Sequence, residues 1–441
     1  MSPTPPSAAP GPADSARPGA SRPEVPAAAG PAPAASRRQF LRGAVGTAAV
    51  SGAALAGFGA AAVTRPEPAA AASSAGSADR VIPFHGEHQA GILTPRQAAA
   101  AFVAFDLTVS TPAEAADLMR ALTGRVRFLT TGGTPPNLGI SAPPSDSGLL
   151  GPDVPAGGLT ATVGVGSTFF DVLGIPRQRP AKLRPMDTFA NDDLDPVRCG
   201  GDLVLQLCAD SRDVVLHALR DLARHTRGAM QVRWRIDGFD SPSRPAGASR
   251  NLLGFKDGIV NPAASESDKL IWVQSGAGEP AWATGGSYHV LRVIRMLVEF
   301  WDRVTISEQE RMIGRRRDSG APLSGSRETD VPDYTDDPKG SAVPLDAHIR
   351  LANPRTHATD ASRMLRRGYN YDLGTDVDGN LDMGLVFNAF QQDLDRQFVA
   401  VQKRLDDEPL VDYISPVGGG YFFSLPGVRD RSDWYARALL G

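Results

Sequence analysis

Cysteine is nearly absent: the 441-residue chain has two, Cys199 and Cys208. Neither lies in a Cys-x-x-Cys or Cys-x-x-Cys-His run, which argues against thiolate zinc sites, iron–sulfur clusters and covalently attached haem. An oxidising compartment would permit them to pair, but free cysteine is most often a small buried residue, and that is the expectation here. No Gly-x-Ser-x-Gly elbow and no phosphate-binding loop occurs, which weakens hydrolase and nucleotide-hydrolysing readings. A large excess of charge of one sign is missing as well. Lys plus Arg number 46 against 49 Asp plus Glu, a net charge of −3, so nothing favours nucleic acid or a strongly charged membrane surface. A hydrophobic content of 41% suits a globular protein, and the length allows two to three domains or one duplicated one.

Large apolar side chains are scarce at the start. Residues 1–35 are rich in Pro, Ala, Ser and Gly, and such a segment cannot bury enough surface to offset chain entropy. Ser36-Arg37-Arg38-Gln39-Phe40-Leu41 follows, then the Ala/Gly/Val run 43–63. This pattern resembles a twin-arginine export signal, and the scarcity of Leu and Ile in the run argues against a permanent membrane anchor. The twin-arginine route carries folded proteins, so a cofactor loaded before export is expected. The Pro/Ala/Ser/Gly stretch to Ala78 reads as a linker.

From Val81 onward the chain reads as folded. Residues 101–109 form an expected strand, and Thr111-Pro112-Ala113-Glu114 is a capping box opening a helix to about Leu122. Residues 202–208 and 231–236 read as strands flanking a helix that begins after Ser211. The second half repeats that order: strands at 287–296, 383–390 and 419–425, helices at 307–316 and 394–405. The fold class is therefore α+β, two ferredoxin-like lobes with antiparallel sheets. The expected division is an N-terminal segment 1–80, a first lobe 81–245 and a second lobe 246–441. A long Ser/Pro/Gly/Asp-rich loop at 317–343 is expected to rim a site.

Gly164-Val165-Gly166 lacks the third glycine of a dinucleotide fingerprint, with Phe169 in its place. Residues 376–382 imitate a calcium loop without its closing Glu and read better as a turn. His85, Glu87 and His88 have no identifiable third ligand, and His217, His225 and His289 show no metal-ligand spacing. His348 has different company. Arg350, Arg355, Arg366 and Arg367 follow it within about two dozen residues, and this cationic set suits a dianionic ligand such as haem. Asp257 sits between Gly254 and Gly258, where glycine lets backbone approach a flat ligand.

Taken together, several ordered motifs resemble the dye-decolourising peroxidases, in particular an exported branch that includes the deferrochelatase/peroxidase of iron-uptake systems. They are Gly254-Phe255-Lys256-Asp257-Gly258, His348-Ile349-Arg350-Leu351-Ala352-Asn353-Pro354-Arg355, Leu365-Arg366-Arg367-Gly368-Tyr369, the stretch 384–393 and Pro416 to Phe423. The resemblance covers about residues 81–440. One departure is Ile259, where that branch often has Thr. The resemblance implies haem b, one per chain, in the C-terminal lobe, with His348 as iron ligand. It implies Asp393 as the acid on the other imidazole nitrogen, with Asp360 and Asp395 as nearby alternatives. Asp257 and Arg366 fall on the opposite, distal face, with Gly258, Ile259, Asn353, Pro354 and Arg355 along the haem edge and propionates. The implied reaction is reduction of hydrogen peroxide at the expense of a dye or other small reductant. Asp257 would act as proton carrier and Arg366 as charge stabiliser. A carboxylate with an ordinary pKa of about 4 sets the expectation of an acidic optimum. Trp301, Tyr413 and Trp434 are candidate electron relays to bulky donors. Iron removal from haem with the porphyrin intact is the alternative within the family, and a non-catalytic haem-delivery module the alternative outside it. Other iron-uptake components and a second copy of the chain are the partners left open.

Overall fold

The computed structural model describes residues 80–441. The twin-arginine stretch and the linker lie outside them. Among the described residues no helix is long and apolar enough to cross a membrane.

Among the described residues, nine antiparallel strands form one sheet. They are β1 (Ala99–Leu107), β2 (Thr160–Gly166), β3 (Leu203–Ala209), β4 (Met230–Phe239), β5 (Ser287–Met296), β6 (Leu365–Arg366), β7 (Tyr369–Thr375), β8 (Leu381–Gln391) and β9 (Ile414–Ser424). The order β5-β9-β2-β3-β1-β4-β7-β8 closes on itself, because β8 also pairs with β5, with Val293 opposite Val386. The α+β, antiparallel character expected from the sequence is present, but the two halves do not keep separate sheets. The β2–β9 and β4–β7 pairings join them into a ring.

Closure divides the alternating side chains into an inside and an outside. Phe102, Val204, Trp234, Leu291, Val386 and Phe422 meet inside the ring. Cys208 is buried among them, Cys199 is half-buried, and both are free thiols. His289 also points inward, its Nε2 2.7 Å from Asn388 Oδ1; burial pushes its pKa down to about 4, so it is a neutral interior group. On the outside, the N-terminal half is covered by α1 (Pro112–Thr131) and α2 (Arg212–His225), through Leu118, Leu122, Val215 and Leu222. The α1 capping box is complete: Thr111 Oγ1 accepts from Glu114 N at 3.3 Å, and Glu114 Oε2 accepts from Thr111 N at 3.2 Å. The helix runs nine residues beyond its expected end, because Val126 and Leu129 continue the buried stripe.

In the C-terminal half, the elements over the sheet are α3 (Ile306–Ile313), α4 (His348–Ala352) and α5 (Ala400–Leu405), the last continuing a π-turn at Asp395–Val399. α4 is a single turn for a local reason. Asn353 precedes Pro354, and the proline ring disfavours a helical residue before it; Asn353 accordingly leaves the helix at φ −141°, ψ 85°.

Replacing Thr111 with Ala removes the side-chain acceptor at the α1 N-terminus. The expected cost is about 1 kcal/mol of stability, read as a lower denaturation midpoint in urea with no change in slope.

Candidate active site

A large cavity opens on the outer face of the ring, between sheet and helices. Arg292, Ile294 and Met296 of β5, with Leu385 and Phe387 of β8, line its sheet wall. His348 and Ala352 of α4, with Val401 and Leu405 of α5, line its helical wall. Its volume is about 250 Å³, and it opens to solvent.

His348 is fixed from behind by a carboxylate, but not by Asp393. Its Nδ1 lies 2.7 Å from Oε2 of Glu408, whose side chain is 3% exposed. Two hydrogen bonds explain why these residues meet. Arg404 Nε and Nη2 donate to the carbonyls of Leu351 and Ala352, at 2.9 and 3.0 Å, capping the end of α4 and tying α5 to it. Glu408 follows α5 directly and is delivered beneath the imidazole. Asp393 is occupied elsewhere: it pairs with Lys182 and accepts the backbone N–H groups of Asp395 and Arg396 at 3.0 and 2.9 Å, at the start of the π-turn. Asp395 pairs with Arg184 and Asp360 with Arg363. Burial lowers the His348 pKa, but the charge and hydrogen bond of Glu408 outweigh it, so the net shift is upward from the ordinary histidine value. With Nδ1 committed to Glu408, Nε2 is the nitrogen left for a ligand.

Asp257 and Arg366 also line the cavity and contact each other, Arg366 Nη1 donating to Asp257 Oδ1 at 3.2 Å. They are 109 positions apart, and two devices bring them together. β6 pairs Arg366 with Ala389 of β8, setting it beside the sheet wall. Asn261, four residues past Asp257, then clamps the Arg366 backbone: its Oδ1 accepts from Arg366 N at 3.0 Å and its Nδ2 donates to Arg366 O at 2.9 Å. Asp257 itself is held in a tight loop. Its N–H donates to Ser249 O at 2.9 Å, and its Oδ1 accepts from Gly258 N at 2.6 Å. Gly258 has φ +82°, a conformation that favours glycine, and a Cβ built there would meet nothing within 4 Å.

The remaining expected residues divide. Ile259, Asn353 and Arg355 line the cavity with Gly258; Pro354 does not. Pro354 instead shapes the turn in which Asn353 Oδ1 accepts from Arg355 N at 3.2 Å and Arg355 takes φ 57°. Arg350 is braced against Asp337 at 3.3 Å and Arg367 is buried against Thr94 O and Gln97, so neither serves the cavity. Trp301 is buried behind the wall, donating to Leu253 O at 3.0 Å, with Tyr413 edge-on at 5.1 Å. Trp434 lies under Arg120 of α1, away from this wall.

The cavity suits haem on chemistry internal to the chain. Lys256, Arg292, Arg363 and Arg366 are each paired with a carboxylate. Among the described residues, Arg355 and Arg315 show no such pair. Arg355 keeps a buried Nε without a partner, while Arg315 bonds only the carbonyls of Gly320 and Glu328, at 2.6 and 3.1 Å. Burial lowers the Arg315 pKa, and the nearby Arg355 and Arg366 add to the lowering. Two guanidiniums unmatched by acid, a free imidazole nitrogen and apolar walls fit a dianionic metalloporphyrin. Glu408, Arg315 and Asn261 escaped the sequence reading. Asn261 stands three residues past the Gly254–Gly258 motif, whereas no spacing connects Glu408 or Arg315 to His348.

Glu408→Gln removes the charge that outweighs burial. In the apoprotein the His348 pKa is expected to fall below the ordinary value, read from imidazole NMR shifts against pH; an unchanged pKa would show that another group sets it.

Residues 89–240 match the Dyp-type peroxidase N-terminal family and residues 248–429 the Dyp-type peroxidase C-terminal family. Among curated relatives, the protein named Deferrochelatase from Escherichia coli (strain K12) is 50% identical over 368 residues, 81% of this chain and 87% of its own length. The one from Shigella sonnei (strain Ss046) is 48% identical over 415 residues, 92% and 97%. Among solved structures, a DyP-type peroxidase from Cellulomonas bogoriensis superposes with a TM-score of 0.75 at 39% identity, covering 83% of this chain and 99% of that one. Ferric DtpA from Streptomyces lividans gives 0.75 at 36% identity, covering 83% and 98%. The chain belongs to the Dyp-type peroxidase family and is a haem-dependent peroxidase.

Proposed function

We propose that this chain is an exported peroxidase holding one haem b in its C-terminal half, and that it uses hydrogen peroxide to oxidise dyes and other small electron donors. The observation that carries this is the presence, in one cavity, of a carboxylate-backed imidazole on the helical wall and a contacting carboxylate–guanidinium pair beside the sheet wall. His348 Nε2 would ligate the iron, and Arg315 and Arg355 would meet the propionates. Bound there, haem supplies the redox chemistry. The protein's own groups handle protons and charge. Glu408 holds the Nδ1 proton and makes the imidazole a stronger donor. Asp257, as carboxylate, takes a proton from peroxide and delivers it to the departing oxygen. Arg366 stabilises the negative charge that develops on that oxygen. The twin-arginine stretch supports passage out of the cytoplasm after the cofactor is loaded.

The name borne by the curated relatives favours a second reading, release of iron from haem with the porphyrin kept intact. The products separate the two: oxidised dye with haem retained, or free protoporphyrin. In the second case another iron-uptake component would receive the metal.

Asp257→Asn and Arg366→Leu are each expected to lower peroxide turnover by about 10²–10³-fold while the Soret band of the loaded protein persists. A variant that turned over normally would remove that residue from the mechanism. Hemin uptake has its own pH dependence. A proton on Nε2 competes with iron, and the His348 pKa is raised from 6.5. Uptake should therefore be complete at alkaline pH and fall as pH drops through a value above 6.5; in Glu408→Gln the fall should move to lower pH. Soret absorbance of the apoprotein titrated with hemin reads both.

A further inference from the structure

Besides the unmatched Arg315 and Arg355, the cavity lining has another polar pole, on β5. Arg292 is 1% exposed and pairs through Nη2 with Asp192, whose side chain is fully buried. Its Nε and Nη1 are buried and have no hydrogen-bond partner. Next to Asp192 in the chain, the carboxamide oxygen of Asn191 is also buried and unpartnered among the described residues, and both Arg292 and Asn191 line the cavity. A buried donor or acceptor left unmade costs on the order of 1–3 kcal/mol, so free donors and a free acceptor on two residues that line one cavity mark a place for a ligand.

The chemistry of that ligand follows from charge and shape. Asp192 already neutralises Arg292. Asp406 stands near Asp192, so a further acidic group borders the pair. An anion is disfavoured there. A neutral hydroxyl both accepts, from Arg292, and donates, to Asn191. The surroundings are aromatic: Phe387 and Phe398 line the same cavity with ring centroids 5.7 Å apart, and Phe189 lies under the Arg292 guanidinium at 5.3 Å. We propose that Arg292 and Asn191 form a docking subsite for a small neutral phenol at the sheet-side end of the cavity. The phenolic oxygen accepts from the Arg292 guanidinium, the O–H donates to Asn191 Oδ1, and the ring packs on Phe387 and Phe398. This deepens the peroxidase reading, on which it rests for the ligand's role as electron donor; binding itself is independent of it.

The test measures binding without peroxide. Phenol and its methyl ether, anisole, are titrated calorimetrically into the wild type, Asn191→Leu and Arg292→Lys, each with haem loaded and as apoprotein. Arg292→Lys keeps a charge for Asp192, so it avoids stranding a buried carboxylate. Asn191→Leu is expected to weaken phenol about tenfold, the loss of one buried hydrogen bond, and to leave anisole unchanged, since anisole has no proton to donate. Arg292→Lys is expected to weaken both. The subsite is overturned if Asn191→Leu leaves phenol binding intact or weakens phenol and anisole equally. It is equally overturned if loading with haem abolishes phenol binding, because the porphyrin edge would then fill the pole. A protein that never develops a Soret band defeats the haem reading alone, since the apoprotein titrations still decide the subsite.

Discussion

A carboxylate with almost no contact with water is costly unless a partner holds it, and here the partner is an imidazole. The Glu408–His348 contact can form only if the end of α5 lies against α4, and the two carbonyls that Arg404 caps secure that arrangement. Much of the site follows from it. One imidazole nitrogen is consumed, the other is freed, and the ring acquires a fixed orientation from a five-residue helix that could not supply one alone.

The opposite requirement, a carboxylate and a guanidinium held in contact at the same cavity, is met by the sheet. Asp257 lies on a loop and Arg366 on a two-residue strand, neither of them a rigid element by itself. The β6–β8 pairing gives Arg366 a register, and the carboxamide of Asn261 matches its backbone donor and acceptor as a neighbouring strand would. Ring closure through β5–β8 puts Arg292 and Phe387 on directly paired residues of one wall. The N-terminal half contributes too: its strands complete the ring, and Asn191 reaches the cavity itself.

Charge around the cavity is uneven in a way that suits both contents. Among the described residues no carboxylate forms an ion pair with Arg315 or Arg355, which leaves room for a dianion. At Arg292 the charge is already balanced by Asp192, and what remains is hydrogen-bonding capacity. Positive charge without acid recruits an anion; a neutralised pair with free N–H groups recruits a neutral acceptor.

Much of this protein was legible along the chain. The capping box at Thr111, the strand at 287–296 and the turn within 376–382 depend on neighbours within a few residues, and each appears where local chemistry placed it. The ordered motifs around Asp257, His348 and Arg366 carried the family for the same reason, since each is a contiguous run. What the chain could not show was which distant groups meet. Asp393 looked suitable behind His348 by type and resemblance, yet it was needed at a helix start, while Glu408 arrived through the packing of α5 on α4. Four arginines near His348 looked equivalent, and only two face the cavity, because strand register and loop anchoring turn Arg367 and Arg350 elsewhere. The joining of two expected lobes into one ring belongs to the same class. Local sequence determines an element's type and its ends; pairing across a hundred residues is decided by which edges and faces remain to be covered once the elements collapse together.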